Sequence, residues 1–344
     1  MTIAIASIAH DSHASRVEQI LRGRGERVVR IDHTRFTRPA TAAVRYGADG
    51  LTLARWRDGA DPVDLTDLTS LWWRRPGRPT SALADPVAAA FATSESSDFL
   101  DDLAGLDLVP QLPGPRDAVR LASRKARQLA RAAALGFEIP PTTITNDPDE
   151  LLDFAADHGA LRLVSKQAGF TELAVPAGAV DNVDAWVRYT ERITPRDLAH
   201  AEALRHCPMI LQAEVPKRLE LRVTVVGDRV LAVAIHSQEN PRTSLDWRRY
   251  DDRATRHERV ELPDDVAERC RAWCRLEGLR YAAFDLVLTP DGRHVFIEVN
   301  PNGQYLWLED LTGVPISAAI ADELSRPTLT HPSPAEEALP CTRP

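Results

Sequence analysis

The sequence predicts an α/β (α+β) protein of more than one lobe, and three features carry that expectation. The chain opens TIAIAS, DSHASRVEQILRGRG, ERVVRID: a strand, a helix and a second strand, the βαβ start of a parallel sheet. Strands and helices then alternate to about residue 205. From residue 206 strand follows strand, and the run ends in a hairpin, FDLVLTPDGRHVFIEVN, over 284–300.

Taken in order, LTLARW and LTSLWWRRP read as further strands, the second stopped by Pro76, and residues 85–104 as mostly helical. The proline-rich LVPQLPGP over 108–115 marks a first boundary. DAVRLASRKARQLARAAALG reads as one amphipathic helix ended by Gly136, DPDELLDFAADHG as another, and LRLVSKQ as a strand with Lys166 at its end. PMILQAEV, LELRVTVVG and RVLAVAIHS are strands, and ELPDDVAERCRAWCRLEGL is a helix. SRPTLTHPSPAEEALPCTRP is a proline-rich tail expected to be disordered. Alternation suggests that one of Trp72 and Trp73 is core and the other surface. Arg74 and Arg75 could cap the strand end or line a substrate site. His236, which ends an apolar strand, reads as structural.

The chain of 344 residues is 44% hydrophobic and 27% charged with net charge −8, which fits an ordinary globular protein. Its Lys and Arg are scattered, so no nucleic-acid footprint is expected. MTIAIASIAHDSHASR lacks the pattern of a signal peptide, and no apolar run approaches the roughly 18 residues of a membrane span. Cys270 and Cys274 share a helix face. With Cys207 and Cys341 they have no second pair at zinc-ligand spacing, so reduced thiols in a cytoplasmic protein are expected.

The hairpin poses the chemical question. If Asp291-Gly292 is a two-residue turn, Asp285 faces Glu298 directly, and Asn300 shares Glu298's side of the sheet. Like charges placed opposite are destabilising. Either the carboxylates splay into water, or a divalent cation compensates them, and two carboxylates with an amide oxygen suit Mg²⁺.

Neighbouring residues favour the cation. Lys125 on a helix, Lys166 at a strand end, Lys217, Glu220 and Arg222 around two strands, and then the carboxylate hairpin follow in an order that resembles the ATP-grasp family. The Glu298-x-Asn300-Pro301-x-Gly303 run is the specific part, and the resemblance covers about residues 116–325. It implies an ATP-grasp fold: an N-terminal pre-ATP-grasp domain (1–115), a central lobe (116–205), a C-terminal lobe with the metal site (206–325) and a tail (326–344). It implies ATP and Mg²⁺, with Lys125 and Lys166 on phosphate, Glu214 and Val215 as adenine hinge, Lys217 nearby, and Glu220 on the ribose. Asp285, Glu298 and Asn300 would hold the metal.

LWWRRP, the run 219–227, IHSQ, DWRRYD and NPNGQYLWLEDLTGVPISAAIADEL look like graspetide synthetases. Those ligases activate Asp or Glu side chains of a ribosomal precursor peptide as acyl phosphates and close ester or amide rings with Ser/Thr or Lys. That chemistry requires guanidinium groups near the metal site; Arg222 is the first candidate, Arg248 and Arg249 the next. Tyr305 and Trp307, on one face of a strand, could floor the acceptor site. The resemblance also implies a possible homodimer. Two departures stand out: KQAGFTE has only Gly169 where relatives carry a Gly- and Ser-rich loop, and Ala213 precedes Glu214 in the hinge. Two other readings are a ligase joining an amino acid or small amine to a carboxylate, and a nucleotide-binding scaffold without catalysis.

Overall fold

The computed structural model of the chain describes residues 1–159, 162–167, 173–174, 185–186, 189–249 and 255–326. The contacts divide them into two compact units, Met1–Arg116 with the chain from Ser317, and Asp117–Ile316.

The first unit begins with β1 (Thr2–Ser7), α1 (Ser12–Gly23) and β2 (Arg27–Ile31). Asp11 caps α1 by accepting from the Ala14 N–H at 3.0 Å. A meander of β3 (Thr41–Gly47), β4 (Gly50–Arg57) and β5 (Pro62–Asp64) follows, then β6 (Ser70–Arg75), α2 (Pro86–Gly105) and β7 (Gln111–Leu112). The sheet order β2-β1-β6-β7 is parallel throughout. A parallel sheet is covered on both faces, so Trp72 and Trp73 are both buried, at 1% and 6% exposure, rather than divided between core and surface. Arg74 is buried too, its Nε 3.3 Å from Asp11 Oδ2, so its guanidinium serves the α1 cap.

The second unit holds two larger antiparallel sheets and a two-stranded antiparallel pair. The expected helix over 117–135 is two: α3 (Arg116–Ala122) and α4 (Lys125–Ala134), broken at Ser123-Arg124. Next come β8 (Thr142–Thr145), α5 (Pro148–His158), β9 (Leu163–Lys166), β10 (Leu173–Ala174), β11 (Ala185–Trp186), β12 (Glu191–Arg192), α6 (Pro195–Ala199) and β13 (Met209–Ala213). Four of these strands form one sheet, β12-β9-β13-β8, and β10 pairs with β11. Then β14 (Leu219–Val226), β15 (Arg229–Ile235), β16 (His257–Val260), α7 (Asp264–Leu276), β17 (Tyr281–Leu288) and β18 (His294–Asn300) build the other, ordered β16-β15-β14-β17-β18. α8 (Leu306–Thr312) and α9 (Ile316–Ser325) close the described chain.

Period-two alternation splits β14. Leu221, Val223 and Val225 pack with Trp273, Cys270 and Cys274 of α7, while Glu220, Arg222 and Thr224 turn to the other face. Burial raises the Cys270 thiol to about 12 and lifts Cys274 as well, which leaves both inert. Among the described residues no helix is long and apolar enough to cross a membrane. The Gly169 loop, Tyr250, Cys341 and residues 327–344 of the expected tail lie outside the described residues.

Candidate active site

The hairpin that posed the question is built differently from its expected form. Thr289 and Arg293 close a three-residue loop, Pro290-Asp291-Gly292, through Thr289 N to Arg293 O at 3.0 Å, and Gly292 takes φ +89°. Pairing therefore starts one residue out of step, with Leu288 opposite His294 and Leu286 opposite Phe296. A bulge beside Asp285 then absorbs Ile297 and restores the register, so Asp285 does lie opposite Glu298 and Ala283 opposite Asn300.

The compensating charges come from the chain's own cations. Arg222 faces Asp285 across β14–β17 and its Nη1 donates to both carboxylate oxygens, at 2.9 and 2.8 Å. Lys125, at the first position of α4, donates from Nζ to Glu298 Oε2 at 3.0 Å. Arg248 Nη1 lies 4.0 Å from Glu298 Oε1. Burial works against ionising Glu298, but Lys125, Arg248 and Lys166 outweigh it and hold the carboxyl well below the usual range. Burial, with the Glu298 charge, pushes Asp285 upward against Arg222.

These carboxylates line a cavity within the second unit, between its four- and five-stranded sheets. From the five-stranded sheet come Glu220, Asp285 and Glu298, and from the four-stranded sheet Val164, Lys166 and Gln212. The extended segment after β13 adds Glu214, Val215 and Lys217. Glu214 N donates to Arg162 O at 2.7 Å, while its carboxylate takes Arg192 in a two-bond fork at 2.8 and 2.6 Å. Lys217 Nζ bridges Glu220 Oε1 (2.5 Å) and Leu245 O (2.8 Å). Among the described residues Glu220 Oε2 is buried with no hydrogen-bond partner, and burial raises that carboxyl against the lowering influence of Lys217 and the Ser237 hydroxyl.

Arg248 is brought in by Asp246, which accepts from its Nε (2.9 Å), Nη2 (2.6 Å) and backbone N–H (3.0 Å). Burial opposes the Asp246 charge, yet Arg248 brings its pKa to about 2. Arg249 is not brought in: it is exposed, with its guanidinium 5.5 Å from the Tyr189 ring. The segment after β18 is not a strand, because Pro301 and Gly303 end the ladder. Trp307 sits on α8, stacked on Trp247 at 5.1 Å, and Tyr305 is fully buried against Tyr281. His236 is held between Glu258 (2.8 Å) and Arg256 (2.8 Å), a structural contact.

Gln212, Asp246 and Thr190 are site residues that sequence reasoning did not single out. Gln212 Oε1 accepts from Lys166 Nζ at 2.8 Å, and Asp246 Oδ2 takes the Thr190 N–H at 2.9 Å. A polar residue inside the apolar MILQA strand, two before Glu214, was the available signal for Gln212. For Asp246 it was an Asp two residues before an Arg, the spacing of an Asx turn.

The donor set fits a divalent cation: two facing carboxylates and, one pair further along the same face, the Asn300 amide, all hard oxygen ligands. Among the described residues no cluster of three or more His, Cys, Asp or Glu offers another metal site.

No family model matches the chain. Macrocyclase MdnB of Microcystis aeruginosa superposes with TM-score 0.75 at 30% identity, over 94% of this chain and 99% of that one. A RiPP-associated ATP-grasp ligase of Chryseobacterium gregarium, solved with ADP and a leader and core peptide, gives 0.84 at 26% identity, over 94% and 96%. A probable alpha-L-glutamate ligase of Xanthomonas oryzae pv. oryzae is 29% identical over 218 residues, 62% of this chain and 68% of the relative. With the sheet order, the cavity and the registered carboxylate pair, these matches identify the chain as an ATP-dependent ligase of the ATP-grasp family, within the peptide macrocyclases known as graspetide synthetases.

Proposed function

We propose that the cavity binds MgATP and that the chain activates an Asp or Glu side chain of a ribosomally made precursor peptide as an acyl phosphate, then closes an ester or amide ring. The observation that carries this reading is the pairing of Asp285 with Glu298 on the cavity wall, flanked by Arg222, Arg248 and Lys125. Asp285, Glu298 and Asn300 would hold Mg²⁺, which supplies charge neutralisation at the transferring phosphoryl group.

Placement around the cavity supports the remaining assignments. Lys166, on the four-stranded sheet, faces the phosphate chain. The backbone of Glu214 and Val215 offers hinge contacts to the adenine, and backbone groups suffice there although Ala213 has no polar side chain. The free oxygen of Glu220 accepts a ribose hydroxyl. Arg248, locked by Asp246, stands over Glu298 where it offsets repulsion between the substrate carboxylate and the γ-phosphate. The carboxylate oxygen takes the γ-phosphoryl group as ADP leaves. A Ser/Thr hydroxyl or Lys amine then attacks the carbonyl, phosphate departs, and the nucleophile's proton is lost to solvent or base.

Mass spectrometry of a candidate precursor incubated with the protein and MgATP tests the reading. The expected product is lighter by one water per ring, and Glu298→Gln forms none. The glutamate-ligase relative supports a second reading, in which a free amino acid is joined to a carboxylate; a mass gain of one residue in the presence of free glutamate would establish it instead. Sedimentation velocity tests the homodimer that belongs to the same proposal.

A further inference from the structure

The geometry points to Gln128 of α4 as a positioning residue that sets Lys125 against the Glu298–Asn300 segment. The inference rests on reading the cavity as a MgATP site. β18 is the outer strand of its sheet, so every second residue turns its backbone N–H and C=O away from the ladder. Val299, between Glu298 and Asn300, is such a residue. Gln128 Oε1 accepts from Val299 N at 3.2 Å, and Gln128 Nε2 donates to Val299 O at 2.7 Å and to Ala122 O at 2.8 Å. One side-chain amide thus reproduces a peptide unit of a neighbouring strand, pairing with the residue between the two ligands assigned above.

Gln128 is 1% exposed, so these bonds form where their loss would strand polar groups. It lies three residues after Lys125, on the same face of α4. The bond from Lys125 Nζ to Glu298 Oε2 and the Gln128–Val299 pair are therefore neighbouring contacts between α4 and β18. The Ala122 bond adds a third, tying the α3–α4 break to the same amide. Elsewhere α4 is held through Glu277, which takes Arg127 Nε at 2.8 Å and Arg131 Nε at 2.7 Å. That brace fixes the helix body but touches neither Lys125 nor β18. Without Gln128, α4 stays on the fold, and its first turn loses the register that aims Lys125 at the phosphate position.

A double-mutant cycle on MgADP affinity, measured by calorimetry, tests this. Gln128→Met keeps length and helix propensity and removes all three hydrogen bonds. It is expected to weaken MgADP binding by about 10-fold or more, the scale found for groups that orient ligating residues. Lys125→Met should weaken it at least as much, and the double variant should match Lys125→Met alone within about 2-fold, since Gln128 acts through Lys125. A Gln128→Met protein that binds like the wild type, or effects that multiply in the double variant, would overturn the inference. Arg131→Gln is the structural control, lowering the melting temperature while leaving affinity unchanged. If Gln128→Met does not fold, Gln128→Glu, which keeps the acceptor for Val299 N–H, carries the same cycle. Absence of MgADP binding in the wild type would instead refute the nucleotide site and the inference with it.

Discussion

The two sheets that face the cavity hold charge in different ways. On the five-stranded side every ionisable group at the site has an oppositely charged partner: Arg222 with Asp285, Lys125 with Glu298, Lys217 with Glu220. On the four-stranded side Lys166 rests on a neutral amide, Gln212, and burial pushes its pKa down to about 8 despite Glu298. Paired charges are fixed in place and costly to disturb. A cation held by an amide keeps its charge available for a ligand and titrates near neutrality. In the proposed reading the first side holds the metal and the reacting group, and the second meets phosphate.

The largest way to break this contrast is to unpair a buried charge. Arg222→Met should leave Asp285 buried and unpartnered and cost about 3–5 kcal/mol, read from the midpoint of urea unfolding. Glu298→Gln should retain the fold and lower peptide-dependent ADP release by at least about 100-fold, because it removes a proposed ligand rather than a support.

Backbone proximity gives the next effect. A Cβ on Gly303 would come within 2.6 Å of Ala283 Cβ and 2.7 Å of Arg222 Nη2. Gly303→Ala should therefore cost about 1–3 kcal/mol and lower the melting temperature.

On the other sheet the readout is pH. Lys166 is charged below about 8 and loses its proton above, so MgADP affinity should fall as pH rises through 8. Replacing the amide by a carboxylate, Gln212→Glu, should move that midpoint upward. The linkage sign is opposite for folding. The unfolded lysine keeps its proton to about 10.5, so between 8 and 10.5 the unfolded chain binds more protons, and this residue's contribution to stability improves with rising pH. The smallest expected effect is at Arg249, which is exposed and does not line the cavity; Arg249→Ala should change stability by no more than about 0.5 kcal/mol and leave MgADP affinity as it is.

Much of the second unit was legible because its signals are local. The alternation of LELRVTV put Glu220 and Arg222 on one face, as observed, and the Glu298-x-Asn300 spacing put both proposed ligands on one side. The facing of Asp285 and Glu298 was reached through a turn that does not exist. The three-residue loop moves the register by one and the bulge at Ile297 moves it back, and neither is written in residue preference, because Asp-Gly serves both loop lengths. Long-range packing hid the rest. Trp72 and Trp73 are buried together because a parallel strand has no wet face. Arg74 answers to Asp11, and of the two neighbouring arginines only Arg248 reaches the site, because the Asp246 carboxylate takes its guanidinium. Trp307 lies on a helix because the proline and glycine before it end the strand.

The most direct measurement follows oxygen. A precursor peptide labelled with oxygen-18 in its Asp and Glu carboxylates would be turned over with MgATP, and the released phosphate analysed. One label per ring in phosphate, together with loss of labelled water mass from the peptide, is the expected result, since the carboxylate oxygen leaves on phosphorus. Cyclised peptide with unlabelled phosphate would contradict activation of the side-chain carboxylate at this site.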